Sequence, residues 1–219
     1  MGDWVDFARG PALQFSIAVF VAGVLWRLVR LAMMPDVRIL SVPRNSAPGF
    51  MDAVSGFFSM MLPHRQYTSR TLLSVITGWV FHVGLLIIVV GLAPHILFIK
   101  GLTGLSWPNL PSNLVFLVSV VTLVALVGAL VHRLTSPVLR LISTTDDYVT
   151  WAVTTLPVVT GIAATMHLGP RYETLLTLHI LSICLFLIWF PFGKLMHAFI
   201  VFISRGTTGR ELARRGVKL

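Results

Sequence analysis

Apolar and polar positions along the chain alternate in long blocks rather than at short period. Five stretches are apolar over more than eighteen residues: Pro11 to Met34, Thr71 to Ile99, Asn113 to Leu134, Tyr148 to Leu168 and Thr174 to Ser204. At 1.5 Å per residue each can cross a hydrocarbon layer of about 30 Å. The pattern predicts an all-α, integral membrane bundle of five transmembrane helices. Because that bundle takes up most of the length, residues 1–219 are expected to form one domain. The fourth stretch is rich in threonine and is interrupted by Pro157. Threonine hydroxyls can bond back to helix carbonyls, so this segment can still span where it faces protein. The connection 35–70 is too long for a turn. Inside it, Phe50 to Leu62 is apolar but too short to cross; it reads equally as an interfacial helix or as a contact for a partner subunit.

Composition agrees with this reading. The chain is 56% hydrophobic and only 11% charged, with a mean hydropathy of +0.86. Too few charges exist to cover a soluble core of this size. The net charge of +9 does not call for nucleic acid, because basic residues of membrane proteins gather in cytoplasmic loops. Counting the adjoining span ends, fourteen of the lysines and arginines fall at the connection between spans one and two, at that between spans three and four, or at the C-terminal end; Arg9, Lys100 and Arg171 fall on the other side. The N-terminus is therefore expected outside and the C-terminus in the cytoplasm of a cell inner membrane. The start, Met1 to Gly10, lacks the basic opening of a signal peptide, so the first apolar stretch is expected to be retained. The basic tail from Arg205 suits anionic lipid or a docked cytoplasmic protein. The lone Cys184 has no disulfide partner in the chain and reads as a packing residue.

Seven histidines are present: His64, His82, His95, His132, His167, His179 and His197. An ionisable residue within a span is a candidate functional group, although each taken singly can also be a hydrogen-bond partner between helices. The topology pairs four of them. Spans two and five run oppositely, so His82 meets His197 at one level and His95 meets His179 at another. Two bis-histidine levels across a membrane are what a haem-b electron wire requires. His179 and His197 are 18 residues apart, five helical turns, on one face and about 27 Å along the axis. His82 and His95 are 13 apart, about 140° different in azimuth on a straight helix; Pro94 is placed to bend the helix and re-aim the second ring. Glycines at 78, 84 and 91 on span two would admit a macrocycle or another helix close to the backbone.

These residues resemble the gamma subunit of respiratory nitrate reductase, a five-helix di-haem cytochrome b that exchanges electrons with quinone. The likeness covers roughly Thr71 to Leu219. It is carried by His179, by Phe190-Pro191-Phe192-Gly193-Lys194-Leu195-Met196-His197 and by Phe81-His82-Val83-Gly84. The resemblance implies haem b held by His82 with His197 on the inner side and by His95 with His179 on the outer side. The family places its second ligand on helix two after a glycine; here those positions are Gly91 and Leu92, and His95, one turn on, is the substitute. Similar gamma-like subunits serve complexes related to heterodisulfide reductase and to sulfite reduction. An iron–sulfur subunit is thereby implied as the cytoplasmic-side partner, with terminal catalysis in the partner subunits. Quinone near the outer site is implied as substrate, and Lys100 and His167 are the candidates to hydrogen-bond it. Lys100 can equally snorkel to headgroups, and His167 can sit at the interface. The alternative from another class is a haem-free transporter or assembly subunit with its histidines on a proton path.

Overall fold

The computed structural model describes the chain except residues 1, 36–41, 43, 45–48, 62, 64, 170 and 218–219. His64, Arg38 and Lys218 thus lie outside the described residues. Among the described residues ten α-helices follow one another: α1 (Gly2–Phe7), α2 (Leu13–Ala32), α3 (Phe50–Ser59), α4 (Thr68–Gly91), α5 (Ala93–Thr103), α6 (Ser112–Thr135), α7 (Pro137–Ile142), α8 (Thr145–Met166), α9 (Tyr172–Trp189) and α10 (His197–Arg214). No strand occurs among the described residues. Five segments are long and apolar enough to cross a membrane: Asp3–Ala32, α4, α6, α8 and α9. The protein is an all-helical, multi-pass membrane protein by length and composition.

The first span begins earlier than its apolar pattern suggested. Helix runs from Gly2, and a π-helical turn at Ala8–Ala12 takes in Pro11 before α2 begins. A proline has no N–H to give to the preceding turn, and a local widening accommodates it.

Two of the apolar stretches are broken where a single helix was expected. The second stops at Leu92, which is extended (φ −82°, ψ 128°), and α5 starts anew with Pro94 in its first turn. Proline lacks the N–H that would bond to Val90, and that carbonyl instead accepts the indole N–H of Trp107 at 2.6 Å. The Gly91 carbonyl accepts Leu110 N at 2.9 Å. The loop after α5 thus folds back to satisfy the backbone groups that the break frees, as burial in lipid demands. The fifth stretch ends at Trp189. Pro191 halts it, a 3-10 turn follows at Lys194–Met196, and His197 opens α10. The expected continuous helix from Thr174 to Ser204 is therefore two helices.

Packing explains the position of that turn. Helix α4 lies along α6, α6 on α8, α8 on α9, and α9 on α2. The spans form an arc with α4 at one end. Only 6% of the apolar window of α4 is buried, against 22–28% in the other spans, so α4 is the outlying member. The densest core lies where α2, α8 and the 190–196 turn meet: Val24, Val153, Phe190, Leu195 and Met196, with Phe20 and Trp189 against them. Pro191 is buried against Gly23, where a Cβ would come within 2.6 Å of its ring.

Hydroxyls inside the bundle are satisfied locally. Thr154, Thr155, Thr160 and Thr165 of α8 donate to the carbonyls four residues back at 2.7–2.8 Å, as expected of the threonine-rich span. Cys184 is buried and free. Trp151 is half-buried, donating to the Leu126 carbonyl of α6 at 2.8 Å. Trp107 serves the α4–α5 break.

Candidate functional site: two facing histidine pairs

Helices α4 and α9 make no extended contact with each other, yet the histidines of α4 and α5 approach those of α10 and α9. His82 of α4 faces His197 at the start of α10, with ring centroids 5.9 Å apart and ring planes at 86°. His95 of α5 faces His179 of α9 at 6.2 Å, with planes at 20°. The break at Leu92 removes the azimuthal mismatch of a straight helix. It turns His95 toward the α9 side, the side His82 also serves.

Each ring has one nitrogen held from behind. His82 Nδ1 lies 2.7 Å from the Gly78 carbonyl, His197 Nδ1 2.8 Å from the Lys194 carbonyl, and His95 Nδ1 3.0 Å from the Ile88 carbonyl. A carbonyl can only accept, so in these three rings Nδ1 carries the proton and Nε2 bears the lone pair. His179 Nδ1 lies 3.1 Å from Thr160 Oγ1. The Thr160 hydroxyl has the Leu156 carbonyl at 2.8 Å for its own hydrogen, which leaves its oxygen to accept from His179. All four imidazoles therefore offer Nε2 as a donor atom. Such backing by a carbonyl or hydroxyl is what orients metal-ligating histidines.

The separation also has a chemical meaning. Two imidazoles on opposite sides of one metal, each nitrogen about 2 Å from it, hold their ring centres about 6 Å apart. Both pairs meet that figure. Among the described residues, no group of three or more His, Cys, Asp and Glu side chains could hold a bare metal ion. His82 and His197 are exposed, and nothing lies within 4 Å of where a Cβ on Gly78 would be. Gly84 instead takes up the close approach of Thr122 from α6, and Gly91 that of Leu110.

An ionic knot holds the His197 end. Asp147, in the first turn of α8, accepts from Thr144 N at 2.9 Å and closes a capping box. Its two oxygens also meet Arg133 Nη1 of α6 at 3.3 Å and Lys194 Nζ at 2.5 Å. Lys194 thus joins α8 by its ammonium and His197 by its carbonyl. Asp147 thus ties together α6, α8 and the turn before α10.

Lys100 is exposed on α5, and His167, which ends α8 in the left-handed region at φ 54°, stacks on Tyr172 at 5.3 Å. His132 is half-buried at the C-terminal end of α6. Sequence reasoning missed Thr160 and Gly161, which back and flank His179; a Cβ on Gly161 would come within 3.1 Å of the His179 ring. The threonine richness of the fourth span was the one available signal.

Fold and site define a multi-pass helical membrane protein with two histidine pairs facing across its spans. The chain is 32% identical to a protein of Nitratidesulfovibrio vulgaris (strain Hildenborough) described only by the word "Protein", over 96% of this chain and 94% of that one. This chain belongs to the same family as that protein. No family model matches the chain, and no solved structure matches it.

Proposed function

We propose that the protein is a di-haem cytochrome b subunit, carrying electrons between membrane quinone or quinol and an iron–sulfur partner on the cytoplasmic side. The observation that carries this reading is the pair geometry: two imidazoles about 6 Å apart at each of two levels, each offering Nε2. Haem b bound there would supply reversible one-electron transfer. The chain's own residues do the rest. Gly78, Ile88, Lys194 and Thr160 hold the ring tautomers, and the apolar spans exclude water from the path between levels. The basic end, with His82 and His197, faces the cytoplasm of the inner membrane by the positive-inside rule; His95 and His179 serve the outer level. Lys100 and His167 remain the groups available to a quinone carbonyl there. The protein contributes electron transfer to a quinone oxidoreductase complex whose terminal chemistry resides in partner subunits.

A reduced-minus-oxidised spectrum of the purified protein tests this directly. Two b-type haems per chain are expected, falling to one in His197→Ala and to one in His95→Ala. A wild-type protein without a b-type band would overturn the cytochrome and leave the histidines to a haem-free proton path.

A further inference from the structure

The four rings differ in what stands behind them. His82 and His95 lean on carbonyls of α4, and His179 leans on a hydroxyl of α8. His197 alone leans on a residue whose side chain is ion-paired. Its Nδ1 donates to the Lys194 carbonyl at 2.8 Å, while the Lys194 ammonium sits on Asp147 at 2.5 Å. The backbone that joins ammonium to ring is weakly held by itself. It is a three-residue 3-10 turn, Lys194–Met196, and such turns have poorer hydrogen-bond geometry than an α-helix; Met196 N reaches the Gly193 carbonyl only at 3.4 Å. Gly193 before it is extended, at φ −101° and ψ −169°, so the turn does not continue α9. Beyond it, α10 packs along α3 and makes extended contact with no span. Leu195 and Met196 seat the turn in the core, but the Lys194 side chain that precedes them is half exposed.

The other end of Lys194 is held firmly. The Asp147 side chain is only 9% exposed. It accepts from Thr144 N at 2.9 Å and from Thr144 Oγ1 at 3.1 Å, and its second oxygen meets Arg133 of α6. A shielded, several-fold hydrogen-bonded carboxylate keeps a partner's geometry better than one in open water. We infer that Asp147, acting through Lys194, is a positioning residue for His197. The ion pair sets the direction of the Lys194 carbonyl, and with it the plane of the imidazole, 86° from that of His82. The His95–His179 pair, with no ion pair on either backing residue, lies at 20°. Control of the ring stands whatever the ring ligates; what it means for a bound haem rests on the di-haem reading above.

Solid-state NMR of the full chain in lipid vesicles without haem, its histidines isotopically labelled at nitrogen, reads the ring directly. The His197 Nδ1 resonance, identified by its loss in His197→Ala, should move upfield in Asp147→Ala and in Lys194→Met as its hydrogen bond weakens. Lys194→Arg should hold it near the wild-type position, and the His179 resonance should stay in place throughout. Lys194 is half exposed, so Lys194→Met serves where Asp147→Ala fails to fold. An unmoved His197 resonance in either folded variant, or an equal movement in Lys194→Arg, overturns the inference even if the thermal midpoint falls, because a merely structural pair would lower stability alone. In the haem-loaded protein, Lys194→Met should replace the strongly anisotropic electron paramagnetic resonance signal of crossed planes by a rhombic one and leave the second signal alone. Two haems with both signals unchanged overturn the inference and spare the di-haem reading. No b-type band removes that reading, and the NMR outcome still decides the inference.

Discussion

At the scale of single residues, the four histidines differ in what holds them, and that difference is testable. Three rings lean on backbone carbonyls, which no substitution of a side chain removes. His179 leans on the Thr160 hydroxyl. On the proposed di-haem reading, Thr160→Val should therefore weaken haem binding at the His95–His179 level alone, by roughly 10–100-fold, the usual effect of losing such a partner. Titrating haem into the stripped protein measures this, and equal weakening at both levels would refute it. The ring planes differ too, at 86° in one pair and 20° in the other. Crossed imidazole planes leave the low-spin ferric orbitals nearly degenerate, whereas parallel planes separate them. With haem b bound at both pairs as proposed, electron paramagnetic resonance should show one strongly anisotropic signal, lost in His197→Ala, and one rhombic signal, lost in His95→Ala. These residues were visible in the sequence because an imidazole in an apolar span is costly. Thr160 was not, since its role depends on which way α8 turns against α9.

At the scale of elements, the two helix breaks matter most. Pro94 and the extended Leu92 set the aim of His95, and Trp107 seals the break by donating to Val90. Pro94→Ala should let α4 run on into α5 and swing His95 away from α9. One haem per chain is expected to remain, read by haem content, while two would refute the role given to the break. Trp107→Phe leaves the Val90 carbonyl unpaired and should cost about 1–3 kcal/mol, read as a lowered thermal midpoint. The second break is held by the Asp147 knot. Asp147→Asn keeps the cap but loses the charge, and should destabilise the protein by about 1–2 kcal/mol, tempered by the water that reaches Lys194. The Leu92 break was half legible: Pro94 marked a bend. The Trp189 ending was less so: Phe190 to Gly193 is as apolar as a span, and the burial of Pro191 against Gly23 fixes the turn that the proline permits.

At the scale of the whole molecule, the arc of spans leaves α4 at its edge while α4 and α5 carry one histidine of each pair. The gap between α4 and α9 is bridged by ring pairs rather than by helix packing. The proposed orientation can be checked in sealed right-side-out cells or vesicles. A cysteine placed at the exposed Thr208 should resist a membrane-impermeant maleimide until the membrane is opened, whereas one at Gly104 should react at once. Cys184 is buried and gives a quiet background. The reverse pattern would invert the topology.

Block hydropathy determined the number of spans, because crossing a bilayer demands about twenty apolar residues whatever they pack against. It also identified the histidines worth attention. Their pairing at about 6 Å, the tautomers set by Gly78, Ile88, Lys194 and Thr160, and the three-way grip of Asp147 were decided by tertiary structure. Those features depend on where Pro94 and Pro191 break two helices, and on which face of each then meets its neighbour. A one-dimensional pattern does not encode that azimuth once a helix ceases to be straight.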